Sequence, residues 1–224
     1  MKNKEIKRVE PYPGIVHLTY PTQGELAASF LRPQEYYESL KFKERIPFTL
    51  DEFKKWYIAN SEEGKKTGKF TYYSDWDAFY VPDPSFTPFF QGRFNPLSRR
   101  EKTLLNLLPE GRKFCAIGTF KGADETDIPH EIAHGLTYLN PDYKARVLEV
   151  VRNMNPKDRK IMEDYLRSTG AGYNPAVFED EIHAHVCHSL DYLQKEEDVQ
   201  VTESMRQTSR KLQDIFRKFV KIKK

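Results

Sequence analysis

The sequence predicts an α+β fold, with a small mixed or antiparallel sheet in the N-terminal half and a helical C-terminal half. Before residue 120, aromatic and β-branched residues gather in short runs that proline and glycine separate. After residue 126, apolar residues recur at helical spacing, and asparagine–proline pairs at 140–141, 155–156 and 174–175 mark helix starts. The two patterns place the strands in the first half and most helices in the second.

Length and composition indicate a single domain, 1–224, that needs no disulfides. A chain of this size buries roughly 70% of its unfolded surface, which is enough for a stable core. We expect an aromatic-rich α+β front half at 1–110, a central core at 111–195 and a basic amphipathic helix at 200–224. The dense aromatic residues of the front half are expected to pack against one another rather than to line a cleft.

The N-terminal residues, the apolar runs and the cysteines predict a cytoplasmic protein. The first nine residues are charged and lack the apolar region of a secretory signal, and no apolar run approaches the roughly 18 residues of a membrane span. The two cysteines, Cys115 and Cys187, suit a reducing compartment. The net charge of +3 is too small to indicate a nucleic-acid partner.

Short strands and helices are expected to alternate in the front half. Residues 1–12 are expected to form a polar arm, and 14–20 a strand rich in β-branched and aromatic residues. A proline is expected to open a short helix at 33–40. A polar turn is expected at 61–68, a short strand at 70–73, and an ordered loop from there to residue 94.

Two capping boxes predict helix starts in the same half. Thr49 and Glu52 precede one apolar helical run, and Ser98 and Glu101 precede another. In this motif the hydroxyl and the carboxylate each satisfy a backbone N–H of the first turn. A strand at 113–120 is expected to follow the second helix.

The C-terminal half is expected to contain five helices. Asp127 is expected to cap the first, with Pro129 in its first turn. The next three begin at the asparagine–proline pairs, and glycines at 170 and 172 are expected to close the second of them. The helix from 174–175 is expected to continue through Leu193, and Thr202 is expected to begin the last helix.

Two histidines and an acid lie at metal-ligand spacing within 127–139. His130 and His134 are four residues apart, so both imidazoles share one helix face and can reach one ion. Glu131 stands beside the position that a metal-bound water would take, where a carboxylate acts as general base. The pattern predicts a zinc site, with Glu131 as the catalytic residue. The alternative is an amphipathic helix with two incidental histidines.

The third ligand is expected from the segment 179–188, because a catalytic zinc site uses three protein ligands and leaves a fourth position open. The segment carries three acids and three histidines on a later helix. Glu181 is our first choice, Glu179 the second, and His185 or His188 the third. Two intervening helices leave enough chain for this segment to fold back onto the histidines.

Further groups are expected around the ion. Ligand imidazoles are usually oriented by a second polar group, and His185, Asp180 and Glu179 are candidates for that role. A hydrogen-bond donor to the developing oxyanion is also expected. Tyr173, His185 and Tyr138 are the candidates for this donor.

The segment from His130 through Glu131 to His134 resembles the helix signature of the zincin metallopeptidases. The order of strand, loop, motif helix and later glutamate helix is similar to their gluzincin branch. A metzincin would carry glycine at 137 and histidine or aspartate at 140, where this chain has Thr137 and Asn140.

The gluzincin resemblance covers about residues 113–190. It implies a zinc-dependent peptidase that acts on a peptide or protein substrate, with zinc held by the two histidines and Glu181. It also implies that 113–120 is an edge strand that pairs with an extended peptide. Gluzincins often carry a carboxylate four residues after the glutamate ligand, and this chain has His185 there.

Two other functions remain open from the sequence. One is a zincin-fold binding module without turnover, which uses the front half to dock a partner. The other is a metal-free helical protein that binds acidic partners through its basic C-terminal helix, although a solvated helix face explains those charges as well. The basic residues of that helix are Arg206, Arg210, Lys211, Arg217, Lys218, Lys221, Lys223 and Lys224.

Overall fold

The computed structural model describes residues 5–39, 41–43, 47–123, 127–168 and 177–220. The expected α+β class is confirmed, with a mixed sheet in the N-terminal half and a helical C-terminal half. Backbone contacts divide the chain into two compact units, Met1–Asp124 and Glu125–Lys224. The strand at 113–120, expected in the central core at 111–195, thus belongs to the first unit. Whether 1–224 behaves as a single domain stays a prediction.

The first unit is built on a four-stranded sheet. Its strands are β1 (Lys7–Tyr12), β2 (Ile15–Tyr20), β3 (Ala78–Pro82) and β4 (Cys115–Phe120). Their spatial order is β1-β2-β4-β3. The β2 and β4 pair is parallel, and the two outer pairs are antiparallel.

The strand β4 lies inside the sheet, so the expectation of an edge strand at 113–120 was wrong. Its residue Ile117 is aligned with His17 of β2 on one side and with Tyr80 of β3 on the other. The first five residues of β4 are buried, as in a strand that is covered on both faces. With both neighbours present, the backbone of β4 has no free edge for an extended peptide.

An edge of the sheet is instead β1, within the segment 1–12 that was expected to be a polar arm. Its residues Lys7, Arg8 and Glu10 are exposed. Charged side chains on an edge strand disfavour pairing with another chain. The charged residues that suggested a polar arm are therefore also typical of an edge strand that does not pair with other chains.

The helices of the first unit confirm both capping boxes. The Thr49 hydroxyl accepts the N–H of Glu52, whose carboxylate accepts the N–H of Thr49, and Ser98 and Glu101 repeat the arrangement. The helices are α1 (Gln23–Glu38), α2 (Leu50–Asn60), α3 (Glu62–Thr67), α4 (Thr87–Phe90) and α5 (Arg99–Leu107).

Two local predictions in this unit were wrong. The segment 61–68, expected to be a turn, contains α3. The segment 70–73, expected to be a strand, runs into a 3-10 turn at Tyr72–Ser74, and the strand β3 lies in the expected loop. The ring of Tyr72 is buried among other aromatic rings, so tertiary packing decides the conformation here.

Pro33 lies inside α1, which corrects the expected short helix at 33–40. The helix starts ten residues earlier, after Thr22, whose hydroxyl accepts the N–H of Glu25. An internal proline costs about 3 kcal/mol, whereas each large apolar side chain that is buried contributes roughly 1.5–3 kcal/mol. The helix buries four apolar side chains that are at most 1% exposed: Leu26, Ala27, Phe30 and Leu31.

A buried ion pair joins α1 to α5. The Arg32 guanidinium donates to both Glu101 carboxylate oxygens, at 2.6 and 2.7 Å. Its remaining N–H groups reach the carbonyls of Phe48, Phe94 and Pro96. A buried ion pair needs this complete set of hydrogen bonds, because unpaired N–H groups would add to the cost of removing the charges from water. The aromatic residues expected to pack do so around this pair, and Phe94 lies 5.4 Å below the guanidinium.

The described part of the second unit consists of helices and their connections, with no strand. Helices start after Asn140 and Thr202, as predicted, and both residues cap their helices through side-chain oxygens. The helix expected to run from 174–175 through Leu193 is two helices that meet at Ser189. The helices are α6 (Asp127–Leu139), α7 (Pro141–Arg152), α8 (Pro156–Ser168), α9 (Phe178–His188), α10 (Leu190–Glu196) and α11 (Glu203–Phe219).

Some predictions fall outside the described residues. The expected cap on the Asp127 side chain is one of them, and so are the closing glycines at 170 and 172 and the helix start at 174–175. Among the described helices, none combines the length and the apolar character that crossing a membrane requires.

One ionisable group in α1 makes the stability of the first unit depend on pH. Burial, with a further contribution from the charge of Glu38, raises the pKa of Glu35 to about 7. The folded protein therefore binds more protons than the unfolded chain between pH 4.5 and about pH 7. Stability from this group is present below that window and is lost as the pH rises through it.

We predict that Glu35→Gln removes this loss. As the pH rises from 5 to 8.5, the unfolding free energy of the variant should increase by about 1–3 kcal/mol relative to that of the parent. Denaturant unfolding followed by tryptophan fluorescence measures it, because Trp56 and Trp76 both lie in the first unit. Exposed Glu110→Gln is the matched control. Identical pH profiles for Glu35→Gln and the parent would contradict the prediction.

Candidate metal centre

The two motif histidines lie on one face of α6 and meet at their outer nitrogens. The Nε2 atoms of His130 and His134 are 3.2 Å apart. His134 is buried and His130 is half-buried. The helix is anchored in the second unit by apolar side chains that are at most 4% exposed: Ile132, Ala133 and Leu136.

Helix α9 brings a carboxylate to the same point. An oxygen of Glu181, Oε2, lies 3.8 Å from His134 Nε2. The ligand atoms of His130, His134 and Glu181 all lie within 4.8 Å of one another, and we call these three residues the candidate metal centre. The helices α6 and α9 pack together, and Ala184, one turn from Glu181, is fully buried.

Two of the three distances between ligand atoms in the candidate metal centre are close to those around a tetrahedral zinc ion. Bonds of about 2.0–2.1 Å at tetrahedral angles place neighbouring ligand atoms about 3.3 Å apart. The distances from His134 Nε2 to His130 Nε2, 3.2 Å, and to Glu181 Oε2, 3.8 Å, lie on either side of that value. Two imidazoles and one carboxylate are also a donor set that catalytic zinc sites use, with the fourth position left open.

Asp180 holds the second histidine. Its Oδ2 accepts the Nδ1–H of His134 at 2.9 Å, which turns His134 Nε2 toward the candidate metal centre. Its Oδ1 accepts the hydroxyl of Thr137 at 2.8 Å. Asp180 was one of three candidates for an orienting group, and the structure places it in that position.

The first histidine has different neighbours. The Nδ1 atom of His130 lies 3.2 Å from the Ser189 hydroxyl, at the junction of α9 and α10. The ring of His185 packs on the ring of His130 with 4.7 Å between centroids. The His185 Nε2 atom lies 3.9 Å from Glu181 Oε2. The position where gluzincins often carry a carboxylate thus holds an imidazole that touches both a histidine and the glutamate of the centre.

Charges around the histidines favour a cation between them. Burial acts to lower the pKa of His134, but the carboxylates of Glu181, Asp180 and Glu131 raise it to about 10. Burial, together with the charges of His185 and His134, lowers the pKa of His130 well below its ordinary value. The carboxylates that favour positive charge on His134 would also stabilise a metal ion between the two imidazoles.

Glu179, the second choice for the third ligand, is engaged elsewhere. Its carboxylate accepts hydrogen bonds from Arg152 at 2.8 Å and from Arg159 at 3.4 Å. These two guanidinium groups lower the pKa of Glu179, against a smaller effect of burial. Among the described residues, Glu181 is therefore the acid of 179–181 that meets both histidines.

The remaining candidate residues from the sequence lie in different places relative to the candidate metal centre. His188 packs its ring on Phe216, 4.4 Å between centroids, and does not belong to the candidate metal centre. Tyr173, a candidate oxyanion donor, lies outside the described residues. Glu131 is half-buried on α6, and its charge contributes to the raised pKa of His134.

Two polar residues of the site were missed in the sequence. The Ser189 hydroxyl contacts His130 directly, and the Thr137 hydroxyl contacts Asp180, which in turn holds His134. Thr137 follows His134 by three residues, a spacing that places both on neighbouring turns of the helix. That spacing is a usable signal, whereas nothing local singles out Ser189.

Comparison with known proteins yields no relative. No protein-family model matches the chain, and no curated protein or solved structure is significantly similar to it. The function must therefore be argued from the residues.

The choice between the two glutamates can be tested by metal affinity. We predict that Glu181→Gln weakens zinc binding by at least about 100-fold, since it removes a charged ligand, whereas Glu179→Gln changes it by less than about twofold. Competition with a chromogenic chelator measures both affinities. The two variants are matched in chemistry and lie two residues apart on α9. A larger loss in Glu179→Gln would assign the third ligand to Glu179.

Proposed function

We propose that this chain is a zinc-dependent metallohydrolase, and that its reaction is peptide hydrolysis. The observation that carries the proposal is the convergence of His130, His134 and Glu181 from two helices, with their ligand atoms all within 4.8 Å of one another. The negative field that raises the pKa of His134 supports a bound cation. The peptidase part of the proposal rests on the resemblance of the motif to the zincins.

The roles of the residues follow from their positions. His130, His134 and Glu181 would hold zinc, which supplies Lewis-acid chemistry by acidifying a water molecule and polarising a carbonyl. Glu131, next to His130 on α6, would accept the proton of the attacking water and return it to the leaving amine. Asp180 would keep the His134 imidazole in the orientation that points its Nε2 atom at the ion.

The inner position of β4 limits how a substrate could bind. The resemblance implied that an extended substrate pairs with the strand at 113–120, and both sides of that strand are already paired. Substrate binding by strand addition at β4 is therefore not part of the proposed function. The substrate is proposed only as a peptide or protein.

The alternative of a basic partner-binding helix gains no support from α11. Three of its arginines, Arg206, Arg210 and Arg217, form ion pairs with nearby acids. Pairing reduces the positive potential available to an acidic partner. The lysines at 221, 223 and 224 lie outside the described residues.

The test of the proposed activity is Glu131→Gln. With a mixed peptide library as probe and mass spectrometry as readout, the zinc-loaded parent should cleave peptides and lose this activity to a chelator. Glu131→Gln should keep one zinc per chain and lose about 10²–10⁴-fold in rate, because a general base contributes that much. Exposed Glu149→Gln should match the parent.

Three outcomes separate the alternatives. Cleavage by Glu131→Gln at the parental rate would overturn the role of Glu131. A parent that holds zinc and cleaves nothing in the library would favour a binding module without turnover. A parent that holds no zinc would remove the metallohydrolase proposal altogether.

A further inference from the structure

The hydroxyl of Thr137 lies where it can act on the candidate metal centre without touching a ligand atom. It is on α6, one turn after His134, and its side chain is buried. Its oxygen is 2.8 Å from Oδ1 of Asp180 and 2.9 Å from the backbone carbonyl of His134. The other oxygen of the same carboxylate accepts the Nδ1–H of His134. Thr137 and His134 therefore hold the two oxygens of one carboxylate, and both bonds join α6 to α9.

A threonine hydroxyl has a single hydrogen to donate to these two acceptors. The ionised carboxylate is the stronger acceptor, because charge-assisted hydrogen bonds are roughly twice as strong as neutral ones. The hydrogen is therefore directed mainly at Asp180. A carboxylate that is held at one oxygen has a restricted rotation, so its second oxygen presents a defined direction to the His134 ring.

Few other contacts restrain that oxygen. Nδ1 of His183 also faces Asp180 Oδ1, at 3.7 Å, which is longer than a normal hydrogen bond and leaves an electrostatic attraction. The other nitrogen of this fully buried ring, Nε2, lies 2.9 Å from the Tyr143 hydroxyl. Among the described side chains, Thr137 supplies the hydrogen bond that orients Oδ1.

We propose that Thr137 is a positioning residue of the candidate metal centre, which sets zinc affinity through Asp180 and His134. The proposal rests on the proposed function, since it requires that the centre binds zinc. Polar partners of ligand imidazoles typically change metal affinity by 10–100-fold. Thr137 is one hydrogen bond further from the metal than Asp180. Substitution of Thr137 should therefore weaken zinc binding less than substitution of Asp180.

The experiment compares two substitutions at residue 137. Thr137→Val keeps the shape and the β-branch and removes the hydroxyl, whereas Thr137→Ser keeps the hydroxyl. Zinc affinity is measured by chelator competition on the full chain, and the cobalt-substituted protein gives a ligand-field spectrum that reports ligand geometry. The control is Thr208→Val on α11, because the Thr208 hydroxyl donates to a helix carbonyl, that of Ser204, and lies outside the site.

A double-mutant cycle then tests whether Thr137 acts through Asp180. The same Thr137→Val change is made in an Asp180→Ala background. We expect Thr137→Val alone to weaken zinc binding by about 10-fold and to alter the cobalt spectrum, and Thr137→Ser to restore both. In the Asp180→Ala background, Thr137→Val should change the affinity by less than about twofold.

The outcomes distinguish this proposal from the proposed function. If the parent binds no zinc, the proposed function fails first. If the parent binds zinc and Thr137→Val binds it equally well with an unchanged cobalt spectrum, the role of Thr137 is overturned and the proposed function stands. A loss of the same size in both backgrounds, or in Thr208→Val, also overturns it, because the effect would then be a general one on folding.

Discussion

The carboxylate of Asp180 ties the helix of the two histidines to the helix of the glutamate. It accepts the His134 imidazole at one oxygen and the Thr137 hydroxyl at the other, so both bonds run from α9 back to α6. Burial alone would raise the pKa of Asp180, but the charge and hydrogen bond of His134, with a smaller contribution from His183, hold it well below its ordinary value. The group therefore stays ionised near neutral pH. Because Glu181 is the next residue on α9, a shift of Asp180 would move two of the three candidate ligands together.

The features of the fold that were predicted correctly depend on interactions between residues close in sequence. The capping boxes at Thr49 and Ser98 are closed by groups three residues away, and both formed as expected. The wrong predictions concern residues whose partners are distant in the chain. Pro33 is tolerated inside α1 because the helix buries an apolar face against the sheet, and β4 is an inner strand because β3 returns from elsewhere in the sequence to pair with it. The periodicity of apolar residues along the sequence does not reveal which strands pair.

The residues of the candidate site also fall into those that local spacing predicts and those that depend on tertiary packing. His130, Glu131 and His134 could be found because helical spacing alone places them together. Glu181 could be ranked above its neighbours, but the separation from Glu179 depends on Arg152 and Arg159, which lie on two other helices. The contact of Ser189 with His130 depends on where α9 ends, and the expected continuous helix through Leu193 concealed it. Side-chain partners across helices are set by tertiary packing, which a single sequence does not reveal.

The central claim, that His130, His134 and Glu181 bind zinc, is tested most directly by locating the metal. Protein purified at neutral pH without chelators is subjected to elemental analysis, and its crystals are measured on both sides of the zinc absorption edge. The account predicts one zinc per chain and a single anomalous peak about 2.0–2.2 Å from both Nε2 atoms and the Glu181 carboxylate. Protein without stoichiometric metal, or a peak bound by other residues, would contradict it.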